Sequence, residues 1–150
     1  MKHVVAAGLF VWAGLLAGVA FVATPAKFLA PSLPLAQALD VGRWTFHVLS
    51  LIEWALAAVF LGILVAGRSA VGSRWRAVLL CLLAVVAVLG IETFVARPVL
   101  DARVLEIMRG RSPSPTALHD VYIYLELLKF VLLLLAGAMT AAGTMVDEPR

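Results

Sequence analysis

Four long, mostly apolar runs, Val4–Ala23, Trp44–Ala66, Ala77–Ala96 and His119–Ala142, constrain this chain more than any other feature of its sequence. Crossing the hydrocarbon of a bilayer takes about 20 mostly apolar residues in a helix. Backbone groups in lipid have no water to bond, so such runs must satisfy themselves as helices. Composition agrees: 63% of the residues are hydrophobic and 14% charged, against about 45–50% and roughly 25% in soluble domains. The expected fold is all-α: an integral membrane four-helix bundle, with residues 1–150 forming one four-span domain.

The first run is read as a retained helix. Its apolar stretch exceeds the roughly 7–15 residues of a signal-peptide core, and Pro25 and Lys27 sit awkwardly around any cleavage point. Cys81 is the single cysteine and lies inside the third run, where a thiol behaves as a small hydrophobe. The sequence pI of about 9.5 comes from arginines near helix ends. In a chain this apolar, such basicity points to anionic lipid headgroups and away from nucleic acid.

Four spans put both termini and the second connection on one side, and the first and third connections on the other. Lys2, Arg68, Arg74, Arg76 and Arg150 then face Lys27, Arg43, Arg97, Arg103, Arg109 and Arg111, a near-even split. The second connection, "GRSAVGSRWR", is purely basic, which favours cytoplasmic termini in a plasma membrane, the inner membrane of a bacterium. The first connection carries Ser32 and Pro34 before an amphipathic stretch, the signature of a short helix. In the third, Leu100, Val104 and Ile107 recur at helical spacing, Arg97 and Asp101 form an i,i+4 pair, and Gly110 stops the helix. Thr116 is placed to cap the fourth span. Both connections read as short interfacial helices.

"FVATP" at Phe21–Pro25 returns as "FVARP" at Phe94–Pro98. Pro25 is followed 22 residues later by His47 and then by Glu53; Pro98 is followed 21 residues later by His119 and then by Glu126. Common membrane grammar accounts for Pro and His at span boundaries, but not for a Glu well inside both even-numbered spans. A duplicated helical hairpin, residues 1–66 and 77–142, is the expected origin, with the halves related about an axis along the membrane normal.

Depth and face pick out candidate residues. At 1.5 Å per residue, Glu92 lies about 6 Å from the end bearing the first and third connections, Glu53 and Glu126 about 12–14 Å in, and Lys129 near 16 Å. His119, Tyr122, Glu126 and Lys129 share one face of the fourth span; Arg43, His47, Ser50, Glu53 and Trp54 share one face of the second. Charge in hydrocarbon costs at least about 2.5–3.5 kcal/mol per central group, so these faces should turn inward and pair. A polar cavity open to one side is expected, lined by His47, Ser50, Glu53, Glu92, Arg97, His119, Tyr122, Glu126 and Lys129. Gly14 and Gly18, four apart, suit a close helix contact.

With those positions placed, the chain resembles the small four-helix membrane proteins of unknown function grouped with transmembrane protein 205. More loosely, it is similar to the copper-resistance-D-like membrane proteins. The residues that carry the likeness are the Gly14/Gly18 helix running into "FVATPAKF", the Gly42–Arg43–x–x–Phe46 motif, Glu53, and Leu118–His119. The resemblance covers nearly the whole chain. It implies a four-helix integral membrane fold and the handling of metals or toxic compounds, without an established activity.

Three functions compete. The first is a membrane protein that binds or transports a metal ion, a proton-coupled solute or a small amphiphile. His47, His119, Glu53 and Glu126 would be the metal ligands, since imidazole and carboxylate together suit first-row divalent ions. The second is a redox protein or enzyme, with a b-type haem held by His47 and His119. Carboxylates near an apolar haem slot weigh against it, and no catalytic residues are assigned. The third is an accessory subunit whose polar face packs on a second copy or another membrane protein.

Overall fold

The four runs fold as four long helices: α1 (Lys2–Leu29), α2 (Leu35–Ala66), α3 (Trp75–Met108) and α4 (Leu118–Met145). The structure is a computed structural model and describes residues 1–67 and 73–145. Arg68 and Arg150, counted above for topology, lie outside the described residues. Each helix is long and apolar enough to cross a membrane, and the chain is an all-α membrane bundle without strands among the described residues. Large apolar side chains such as Val11, Leu51, Val65 and Phe94 stand exposed on its outside, where lipid replaces water.

The connections differ from expectation in one respect. Their helical segments are present but continuous with the spans. Ser32 caps nothing: Pro34 precedes the first turn of α2, which runs unbroken from the connection into the membrane. Residues Arg97–Met108 likewise extend α3 past Pro98. Gly110 ends that helix at a φ of 75°, a left-handed conformation that glycine adopts without a Cβ penalty. Thr116 Oγ1 accepts a bond from Leu118 N–H at the start of α4.

Two π turns explain how α1 and α3 pass through proline. Pro25 and Pro98 lack an N–H, and each ring would clash with the carbonyl four residues back, which belongs to Phe21 and Phe94. Widening the preceding turn relieves the clash. Gly18–Ala23 and Glu92–Ala96 are both π-helical, and the residue before each proline bonds five residues back, Thr24 N–H to Val19 O and Arg97 N–H to Glu92 O. The repeated strings therefore share one backbone device. Packing does not repeat with it: α3 lies close along α4, whereas α1 lies along α4 and only touches α2.

Half of the bundle is a dry core. Leu9, Trp12 and Leu16 of α1 meet Phe60 and Leu64 of α2, Val78 and Leu82 of α3, and Leu133 of α4. That buried face of α1 leaves Gly14 and Gly18 on the opposite side. Both are exposed, and nothing lies within 4 Å of a Cβ built on either. The expected Gly14/Gly18 contact is thus corrected: glycine serves packing at Gly8, where a Cβ would stand 2.7 Å from the Phe60 ring, and at Gly137, 2.9 Å from Phe10. Gly8→Ala is expected to lower stability by about 1–2 kcal/mol through overpacking. Gly14→Ala and Gly18→Ala should be neutral or gain up to about 1 kcal/mol of helix propensity. Equilibrium unfolding in detergent micelles checks the order of the three.

Candidate functional site

The dry core ends at a buried charge centre to which every span contributes. Lys129 Nζ of α4 lies 2.8 Å from Glu53 Oε2 of α2, 2.6 Å from Glu92 Oε2 of α3 and 3.2 Å from Glu126 Oε2 one turn earlier on α4. All four side chains are at most 2% exposed. From α1, Trp12 Nε1–H donates to Glu53 Oε1 at 3.2 Å, while its ring stacks on Phe60 in the core below. Beside the centre, Thr93 Oγ1 accepts from Trp54 Nε1 at 3.2 Å and meets Ser50 Oγ at 3.1 Å. The three carboxylates offer oxygens within 4.8 Å of one another, a spacing a metal ion could bridge. The Lys129 ammonium already stands among them, however, and it is the cation these acids are built around.

Above the centre, toward the end carrying the first and third connections, lies a cavity of about 640 Å³. Glu126 and Tyr122 form part of its floor, and the Tyr122 hydroxyl interacts with both the Glu126 carboxylate and the Arg97 guanidinium. Phe46 meets the Tyr122 ring edge-on at 5.4 Å between centroids. Gly42 lets Lys27 lie across α2, because a side chain there would strike it. Arg43 lines the same wall but is engaged by Asp40 at 2.7 Å. Arg103 closes the far side, donating to the Ser114 carbonyl.

The structure brings Glu53, Glu92, Glu126 and Lys129 together, puts Ser50 beside them, and places Arg97, His119 and Tyr122 on the cavity. His47 is elsewhere engaged, with Nε2 2.7 Å from Asp101 Oδ2. That contact overturns the expected Arg97–Asp101 pair, because Asp101 is held by a histidine from another helix. It also separates the four suggested metal ligands. His47 faces Asp101, Glu53 is shared by Lys129 and Trp12, and the clustered trio contains Glu92 in place of either histidine.

Sequence reasoning missed Trp12, Thr93, Lys27 and Asp101 as parts of this region. The only advance signal for Trp12 was an indole donor at the depth of the acids. Among family models, characterised proteins and solved structures, nothing matches the chain significantly.

Trp12→Phe keeps the aromatic stack but leaves Glu53 without its indole donor, so it should cost about 1.5–3 kcal/mol, as expected for a bond to a charged group. Trp54→Phe loses a part-buried bond between neutral groups and should cost about 0.5–1.5 kcal/mol. Chemical unfolding of the two variants side by side measures the difference.

Proposed function

We propose that the chain is a membrane protein that binds, and passes toward its buried charge centre, a small ligand entering from one side of the bilayer. The observation that carries this reading is the cavity of about 640 Å³, which reaches from the connection end of the bundle down to Glu126. Small-molecule sites commonly span about 300–1,000 Å³, mostly apolar with a few convergent polar groups. Past the charge centre, the described residues close into an apolar core in which Leu9, Leu16, Leu82 and Leu133 are fully buried, which supports a one-sided pocket over a continuous pore. With all four groups ionised, the centre sums to three negative charges against one positive. Movement of a proton or cation at Glu126 could therefore be coupled to ligand occupancy.

The finer placement, with the termini on the cytoplasmic face of a bacterial inner membrane, belongs to the same proposal and rests on the purely basic second connection. So does kinship with the transmembrane protein 205 group. In its favour, Gly42, Arg43 and Phe46 of the resembling motif all line the cavity. A haem between His47 and His119 is the weaker reading, since His47 is committed to Asp101.

Accessibility tests the cavity without knowledge of its ligand. In a Cys81→Ala background, Val104→Cys should react with a charged, membrane-impermeant thiol reagent from one face of sealed vesicles only. Leu133→Cys, in the dry core, should react from neither. Labelling of Val104→Cys from both faces, or from none, contradicts a one-sided cavity.

A further inference from the structure

Arg97 is the group that the architecture leaves unexplained. It is 8% exposed, yet its Nε and Nη2 have no hydrogen-bond partner, and no acid lies within ion-pair distance of it among the described residues. The Tyr122 hydroxyl interacts with the guanidinium, but that leaves these two donors idle, and burying idle donors is costly because their desolvation is not repaid. The chain nevertheless turns it inward by a specific device. In an unbroken α-helix, a residue five positions after Glu92 would point about 140° away from it. The π turn at Glu92–Ala96 takes up that offset, and Glu92, Ala96 and Arg97 all end buried on one side of α3.

The surroundings of Arg97 share its character. Thr24 Oγ1, just past the π turn of α1, is another buried hydroxyl on the same cavity without a hydrogen-bond partner. Lys27, one turn on, contributes an ammonium with no acid beside it among the described residues; it lies against Gly42 and 5.0 Å from the centre of the Phe28 ring. Of the acids lining the cavity, Asp101 is taken by His47 and Glu126 by Lys129. Unspent hydrogen-bond donors therefore line this one cavity, while Phe21, Leu39, Leu100, Val104 and Ile123 make its walls apolar.

Resting on the cavity reading above, we propose that the ligand is an anionic amphiphile. Its oxyanion headgroup, a phosphate or carboxylate, is held by the Arg97 fork with Lys27 and Thr24, and its apolar tail lies along the aromatic and aliphatic wall. A planar guanidinium is matched to two oxygens of one such headgroup, and pairing it there satisfies Nε and Nη2 together. A metal cation is the wrong sign for this subsite, and a neutral apolar molecule would leave its donors idle. The headgroup could belong to a bilayer phospholipid or to a free single-chain amphiphile; the chemistry at Arg97 is the same.

The test uses the full chain in phosphatidylcholine nanodiscs, titrated with dodecyl phosphate, dodecanol and inorganic phosphate, and in a parallel arm with nanodiscs doped with phosphatidic acid. Dodecyl phosphate is expected to bind saturably and at least about tenfold tighter than either dodecanol or inorganic phosphate, the effect of one charge-assisted contact. Arg97→Gln should weaken it by at least about tenfold, Arg97→Lys by less, and Arg111→Gln, outside the cavity, should not change it. If doped phosphatidic acid competes with dodecyl phosphate, the headgroup comes from bilayer lipid; if it does not, the ligand is a free amphiphile, and either result supports the subsite. Equal binding of dodecanol and dodecyl phosphate by the unsubstituted protein, or no effect of Arg97→Gln, overturns the proposal. One-sided thiol access at Val104→Cys would still stand in that case, so the two failures are distinguishable.

Discussion

A single ammonium, that of Lys129, holds together what four helices bring into the membrane. Glu53, Glu92 and Glu126 reach it from α2, α3 and α4, and Trp12 of α1 bonds to the acid facing it. Turning any of these groups outward would expose charge to lipid at several kcal/mol each. The inward arrangement therefore fixes the rotation and depth of every span at once. Apolar packing alone could not do so, since lipid tails solvate leucine and valine as well as a protein interior does. A buried ion cluster is a weak source of net stability, because desolvation offsets much of the attraction. Its contribution here is register.

The two ends of the bundle differ because of what the centre divides. On the side of the termini, Leu9, Trp12, Phe60 and Leu133 close up as an ordinary core, with Gly8 admitting the Phe60 ring. On the other side, the π turns at Gly18–Ala23 and Glu92–Ala96 carry α1 and α3 through their prolines, with Thr24, Lys27 and Arg97 left on a cavity. π turns of this kind recur at functional sites, where a helix must present side chains that regular geometry would scatter. Here one sequence device, a proline preceded by a widened turn, serves both helices.

The spans and the charge centre were legible because an ionisable residue in an apolar helix has few places to go. Depth from one rise per residue and face from one angle were enough to bring Glu53, Glu92, Glu126 and Lys129 together. Other features depended on partners that sequence spacing does not reveal. The i,i+4 rule joined Arg97 to Asp101, but His47 arrives from another helix to engage Asp101, while Arg97 is buried on the cavity. The spacing of Gly14 and Gly18 suited a contact without saying which side of α1 faced the bundle. Three prolines made the first connection look separate, although Pro25 is absorbed by a widened turn and Pro34 simply opens α2. Trp12 looked like any other apolar residue, and its donor role became visible only once Glu53 was placed beside it.

The central claim is that the acids and Lys129 act as one charge-compensated unit. Equilibrium unfolding in mixed micelles, comparing Lys129→Met with a variant that also carries Glu53→Gln, Glu92→Gln and Glu126→Gln, tests it most directly. Removing the lysine alone strands buried acids and should cost about 3–5 kcal/mol, while neutralising all four groups together should recover a large part of that loss. An unchanged midpoint in Lys129→Met, or a fourfold variant less stable than the single one, would contradict the account.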